Sequence, residues 1–261
     1  MLAQIVGRPD TNNSEIVELL KCDSVLTAKV LRACNSAAFG LKEPVTSVDQ
    51  ALLLLGHNEI HNLVLSLAFG GAMSVPVPGY ALKENELWLH ALRTAAATGE
   101  LARGTGGLET DEAVGFTIGL LHDIGKLVMA QALAARAQSA IHIHSADEGL
   151  GSIESEREVL GTDHAEVGAC LLYLWRLPDA VVEAVANHHH PVLQPVPRLS
   201  ALAHAANRIA HLAADAECEG HAFKTDEPIV RVFDLSPERQ ESLVGVVRGA
   251  EDRVKGLMAM A

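Results

Sequence analysis

Residues 119–128 read GLLHDIGKLV, and the pair His122–Asp123 inside this apolar run decides how the rest of the chain is read. Ionisable side chains in such a run are costly to bury unless they are paired or bind a metal. An ionised Asp123 only accepts hydrogen bonds, and a neutral His122 offers one ring nitrogen lone pair. The two together are a seed for a metal centre. Lys126, four residues after His122, projects from the same side of a helix.

Moving outward, the helix that holds this stretch is expected to start at a cap on Thr110 or Asp111. Gly115 and Gly119, one turn apart, leave room for a neighbouring helix to come close. Upstream, a helix over about 82–103 places His90 beside Trp88, Leu89 and Leu92. Downstream, residues 130–141 read as an Ala-rich helix. The polar loop 142–151 carries His142 and His144, read as surface residues. Ser152 starts a charged helix that ends at Gly161. Thr162–Asp163, with Glu166 three residues beyond Asp163, resembles a capping box and puts His164 in the first turn of the next helix. Pro178 suits the first turn of another helix, which is expected to run through Val181, Val182 and Val185 to His188, His189 and His190. LSALAHAANRIAHLAA, 199–214, is strongly amphipathic. Residues 215–233 read as irregular, and Ser236–Pro237–Glu238 starts a last helix to about 257.

The first quarter reads as short helices over 14–20, 24–34, 47–55 and from Asn58 onward, with Val25, Leu26, Val30 and Leu31 inward in the second. His57 and His61, four apart, are read as solvated. SVPVPGY, 74–80, is the strongest internal punctuation. The expected organisation is therefore an N-terminal helical subdomain over 1–76, an all-α multi-helix bundle over 77–214, and a C-terminal extension over 215–261.

Composition agrees with helices packed on helices: 49% of the 261 residues are apolar and only 3% aromatic. A formal charge of −13 argues against a nucleic-acid-binding surface, since such binding rests on neutralising phosphates. Cys22, Cys34, Cys170 and Cys218 show no C-x-x-C spacing and read as free thiols of a reducing cytoplasm. No apolar run is read as approaching the roughly 20 residues of a membrane span, and no signal peptide is read at the N-terminus.

Thirteen histidines are many for this length. His90, His122, His164 and the 188–190 run come from different expected helices, and bundles build metal centres from such facing side chains. The plain alternative is a set of helix-end histidines satisfied by backbone carbonyls. LLHDIGK resembles the signature of the HD superfamily of all-helical, mostly metal-dependent phosphohydrolases. The order His, His-Asp, His, His-His is similar to the ligand pattern of its HD-GYP branch of cyclic-dinucleotide phosphodiesterases. On that resemblance His90, His122, Asp123, His164, His188 and His189 are metal ligands. Position 207, where the pattern has a carboxylate, is Asn207, which on the same resemblance is the seventh ligand and coordinates through its neutral carbonyl oxygen. No GYP loop follows His189.

DSVLTAKVLRACNSAAFG, VTSVDQALLLLGHNEIHNLVL, ELWLHALRTA and ALAHAANRIA extend the resemblance, over roughly residues 10–212, to the HDOD family of bacterial signalling output domains. This implies a cytoplasmic signal-transduction module that binds signalling proteins through its helices and a metal or small ligand at its HD-type centre. The alternative it implies is a metal-dependent phosphohydrolase, with a cation that activates water and Lys126 contacting phosphate. Imidazole-rich ligation suits iron, manganese, zinc or nickel.

Overall fold

A computed structural model gives the fold, and it describes residues 20, 24–37, 39–41, 43–104, 110–135, 151–191, 199–214, 223 and 227–258. The fold is all-α. In chain order the helices are α1 (Ser24–Cys34), α2 (Val48–Leu55), α3 (His57–Met73), α4 (Glu86–Gly104), α5 (Glu112–Leu121), α6 (Gly125–Ala135), α7 (Gly151–Leu160), α8 (His164–Leu174), α9 (Asp179–Ala186), α10 (Leu199–Ala214), α11 (Pro228–Val232) and α12 (Pro237–Met258). Residues 14–19 of the expected helix over 14–20, the loop with His142 and His144, and the thiols of Cys22 and Cys218 lie outside the described residues. Cys34 and Cys170 are free thiols.

Capping chemistry accounts for most starts. Ser47 accepts from the Gln50 amide at the head of α2, Asp111 from Ala113 at α5, and Asp163 from Glu166 at α8. Each side chain satisfies one amide that the first helical turn leaves open. Gly161, at φ +76°, ends the turn after α7 in the left-handed region that glycine enters without steric cost.

Helix α4 lies at the centre. Leu87, Trp88, Ala91, Leu92 and Ala95 pack into one apolar cluster with α5, α8 and α9, while Ala97, Leu101 and Ala102 pack into a second with α10, α11 and α12. A third cluster joins α1, α2 and the first half of α3, and α3 also supplies Leu65 and Met73 to the first. Ile118, Leu120 and Leu121 of α5 are fully buried, each contributing about 1.5–3 kcal/mol by leaving water. The α4–α5 contact is close because of the two glycines. A Cβ on Gly119 would lie 2.6 Å from the Ala95 Cα, and one on Gly115 would lie 3.2 Å from the Thr98 carbonyl oxygen.

Several expectations change. His122, Asp123 and Ile124 are not inside a helix but form the turn between α5 and α6. Glu112–Ala132, 21 residues, is long and apolar enough to cross a membrane by composition, so the expectation of no such run fails. With 67% of its best window buried in the bundle, it is the core of this fold. Helix α3 starts at His57 behind Gly56, one residue before the expected cap. Val25 points outward, 65% exposed. His61 is buried beside the Thr117 hydroxyl at 3.4 Å, not solvated. Among the described residues of 215–233, residues 228–232 form one short helix, α11, started by Pro228. SVPVPGY folds as a tight turn closed by the Val77 amide on the Leu82 carbonyl at 2.9 Å.

Gly119→Ala should cost about 1–3 kcal/mol, the usual range for overpacking a close contact. Urea unfolding reads this as a lower midpoint with unchanged slope. An unchanged midpoint would mean that α4 and α5 can separate freely.

Candidate metal centre

The turn at 122–124 presents both members of the opening pair to the same interior space. The end of α5 leaves the Gly119 carbonyl unpaired by the helix, and the His122 Nδ1–H donates to it at 2.8 Å. That bond fixes the ring and leaves Nε2 facing inward. The same local solution appears at the end of α9, where the His188 Nδ1–H donates to the Val185 carbonyl at 2.7 Å. Here the expected helix through 188–190 is corrected: α9 stops at Ala186, and the three histidines sit in the bend beyond it. Only off the helix axis can His188 and His189 turn toward one point, with ring centroids 4.1 Å apart.

Asp123 is the hub, 1% exposed. Its Oδ2 accepts from Lys126 Nζ at 2.6 Å and lies 3.5 Å from His90 Nε2 and 3.4 Å from His122 Nε2. Its Oδ1 lies 3.1 Å from His164 Nε2 and 3.8 Å from His188 Nε2. Two potential ligand groups result, Asp123–His164–His188–His189 and His90–His122–Asp123, sharing the one carboxylate. Asn207 is buried on α10, between His204, which donates through Nδ1 to the His188 carbonyl at 2.9 Å, and His211, whose ring centroid is 4.6 Å from that of His90. Spacings of three and four put all three on one face of α10, the face turned toward the centre. Six of the seven sequence-expected ligands thus form the two groups, and Asn207 stands on the helix that closes them.

The donors fit a divalent cation. Asp123 Oδ1, His188 Nε2 and Asn207 Oδ1 are buried without a hydrogen-bond partner, an arrangement that native interiors otherwise avoid. The His90–His122 and His164–His189 Nε2 pairs stand 3.2 and 3.0 Å apart. Two imidazoles at right angles on one ion, each about 2.0–2.1 Å away, have nitrogens about 3 Å apart.

Electrostatics favour the ligating forms. Burial, then the neighbouring His211, holds His90 well below the ordinary histidine value, and burial with His189 does the same to His188. Burial and His164 bring His189 down to about 2. For Asp123 burial opposes ionisation, but His122, Lys126 and its hydrogen bonds outweigh it and hold the carboxyl well below its usual range. His164 is the exception. Burial and Lys126 lower it, but the negative charge of Asp123 and the hydrogen bond to Glu156 prevail and raise it.

Glu156 is the residue that sequence reasoning missed. It is fully buried on α7, and it accepts from the His164 backbone amide at 2.6 Å and from the His164 Nδ1–H at 2.8 Å. A carboxylate behind a ligating histidine orients the ring and raises its basicity. The signal was present in the spacing: Ile153, three residues earlier on the same face, is also buried. His211, four residues after Asn207, was missed in the same way.

A helical bundle with a His-Asp pair at a helix break, ringed by histidines from neighbouring helices, is of the HD type. The HDOD domain family matches residues 1–191, and the chain belongs to that family. The match stops short of α10, whereas the sequence resemblance reached 212. An uncharacterised protein of Treponema pallidum (strain Nichols) is 27% identical over 192 residues, covering 72% of this chain. This chain spans 36% of that relative's length. Among solved structures, a protein of Shewanella amazonensis SB2B provisionally named a phosphohydrolase is 27% identical with a TM-score of 0.70, over 98% of this chain and 91% of that one. An HDOD domain protein of unknown function from Geobacter sulfurreducens is 21% identical with a TM-score of 0.67, over 97% and 90%, and shares the fold.

Stability of the metal-free protein should fall as pH drops below about 6.5, the ordinary histidine value. There the unfolded chain takes up protons that folded His90, His188 and His189 refuse, which favours unfolding. His164 works the other way, stabilising at low pH and losing that contribution as pH rises through its raised value, but it is one group against five, since burial also lowers His61 and His204. Urea unfolding in chelator at pH 7.5 and 5.5 checks this, and equal or greater stability at 5.5 contradicts it.

Proposed function

We propose that this chain is a regulatory HDOD module that holds a divalent cation or small ligand at its His/Asp centre and transmits that state through helix packing to signalling proteins in the cytoplasm. The proposed divisions are an N-terminal helical subdomain over 1–76, an HD-like bundle over 77–214 and an extension over 215–261. The observation that carries binding over turnover is Asn207. It stands where the hydrolytic pattern has a carboxylate, so Asp123 is the only anion among the expected ligands. A neutral amide oxygen holds or bridges cations less strongly than a carboxylate does.

Lys126 supports the same reading. Its ammonium is engaged with Asp123 Oδ2, so contacting a phosphate would require it to share or leave that partner. His122 and His188 present their Nε2 atoms because their Nδ1–H groups are held by backbone carbonyls, and Glu156 fixes His164. These residues hold and orient; none among them is set as a free general base near an open face. A module of this kind works by preferring one of two helix arrangements when ligand is bound, so its output is a shift in population.

Hydrolysis of a phosphodiester is the second reading, favoured by likeness to the Shewanella protein over nearly its whole length. A bound cation would supply Lewis-acid activation at the centre. Asp123 and the five histidines would hold it, and Lys126 would steady a phosphoryl oxygen.

Elemental analysis of the purified protein and of His122→Ala tests the centre. Iron, manganese, zinc or nickel is expected in the first and its loss in the second; equal content in both, or none in either, removes the metal reading. Turnover of bis(p-nitrophenyl) phosphate above the His122→Ala background would favour the hydrolase over the regulatory module. Glu156→Gln should weaken metal affinity by about 10- to 100-fold, as loss of such supporting carboxylates does, read by competition with a chromophoric chelator. Unchanged affinity would limit Glu156 to packing.

A further inference from the structure

A cavity of about 540 Å³ lies away from the centre, walled by α1, α3, α4, α5 and α12. None of the metal-centre residues lines it among the described residues. Its size suits a small organic molecule. The chain is 3% aromatic, yet Phe39, Trp88 and Phe116 all stand on this wall. Between them the surface is apolar, from Leu63 and Leu67 of α3 and Leu92 of α4. Aromatic side chains at this density favour a flat partner by stacking.

The polar groups are few and uneven. Lys29 and Arg32, three apart and so on one face of α1, line the wall with no ion-pair partner among the described residues. In a chain of net charge −13 two neighbouring cations with no acidic partner among the described residues are a local reversal of sign. Arg103, also on the wall, is engaged by Glu100 and Glu112. Glu59 and Glu84 stand on the same wall, so an anionic group is favoured only directly against Lys29 and Arg32. The Asn62 Oδ1 is buried there without a partner and would accept one hydrogen bond.

We infer that this cavity is a binding site for a flat aromatic organic acid, its ring system among Phe39, Trp88 and Phe116 and its anionic group on Lys29 and Arg32. The site is independent of the metal centre, although α4 forms part of both: Leu92 and Ala95 face the cavity and His90 faces the metal ligands.

The probe is 8-anilinonaphthalene-1-sulfonate, with its uncharged analogue N-phenyl-1-naphthylamine, both followed by fluorescence on the whole chain. Saturable binding of one sulfonate probe per chain is expected, tighter than the neutral analogue. Lys29→Ala combined with Arg32→Ala should weaken the sulfonate roughly three- to tenfold, the range for two exposed charge contacts, and leave the neutral analogue unchanged. Gly71→Phe should abolish both. Gly71 is on the wall, and a Cβ there meets nothing within 4 Å, so the variant should fold, which circular dichroism verifies. Binding that survives Gly71→Phe would place the probe on another apolar surface, such as that around Tyr173 and Leu174, and overturn the proposal. Equal affinity for the two probes, or no saturable binding, overturns it as well.

Discussion

Everything in this bundle is arranged around one buried carboxylate. Asp123 is nearly sealed from water, and an ionised carboxylate in that position is tolerated only with cationic or polar groups gathered around it. The partners come from five separate segments: His90 from α4, His122 and Lys126 from either side of the turn, His164 from α8, and His188 from the bend after α9. The helices converge where they do because their polar residues must meet there and their apolar residues must not. This makes the centre a structural organiser whatever it binds.

The surrounding groups are graded by how firmly they are held. His122 and His188 are fixed by backbone carbonyls, and His164 by a buried carboxylate. His90 has rings on either side of it, His122 at 5.1 Å and His211 at 4.6 Å. Beside it, Arg93 of α4 makes a two-bond pair with Glu251 of α12, at 2.6 and 2.8 Å. The last helix is thereby tied one turn from a ligand-type histidine. Glu251 lies beyond the part of the chain matched by the family, and the pair joins the extension to the centre.

The limits of α1 and α10 were legible residue by residue, because an apolar stripe runs the length of each. So was the set of His and Asp residues, because each departs from the apolar pattern around it. The turn at 122–124 was not legible. Leu120, Leu121, Ile124 and Leu127 keep a helical spacing across it, and only the demand of His122 for the Gly119 carbonyl shows why the helix stops. The end of α9 was hidden for the same reason: Val185 is followed by histidines that could extend the helix as readily as leave it. Glu156 was lost among the charges of ESEREV, since composition does not tell a solvated glutamate from one that turns inward. Distances between segments far apart in sequence, such as His90 to His211, depend on helix packing that no local pattern encodes.

Gly125 begins α6 immediately after the buried pair, and its backbone lies against α8 so closely that a Cβ there would strike the His164 carbonyl and sit 2.7 Å from the Gly168 amide. The missing methyl is what allows α8 to carry His164 up to Asp123. Scaffold and centre therefore share a single point of tolerance. This contact cannot be widened by a single carbon without parting the helices. A lineage that gave up the chemistry would still be compelled to keep the glycine.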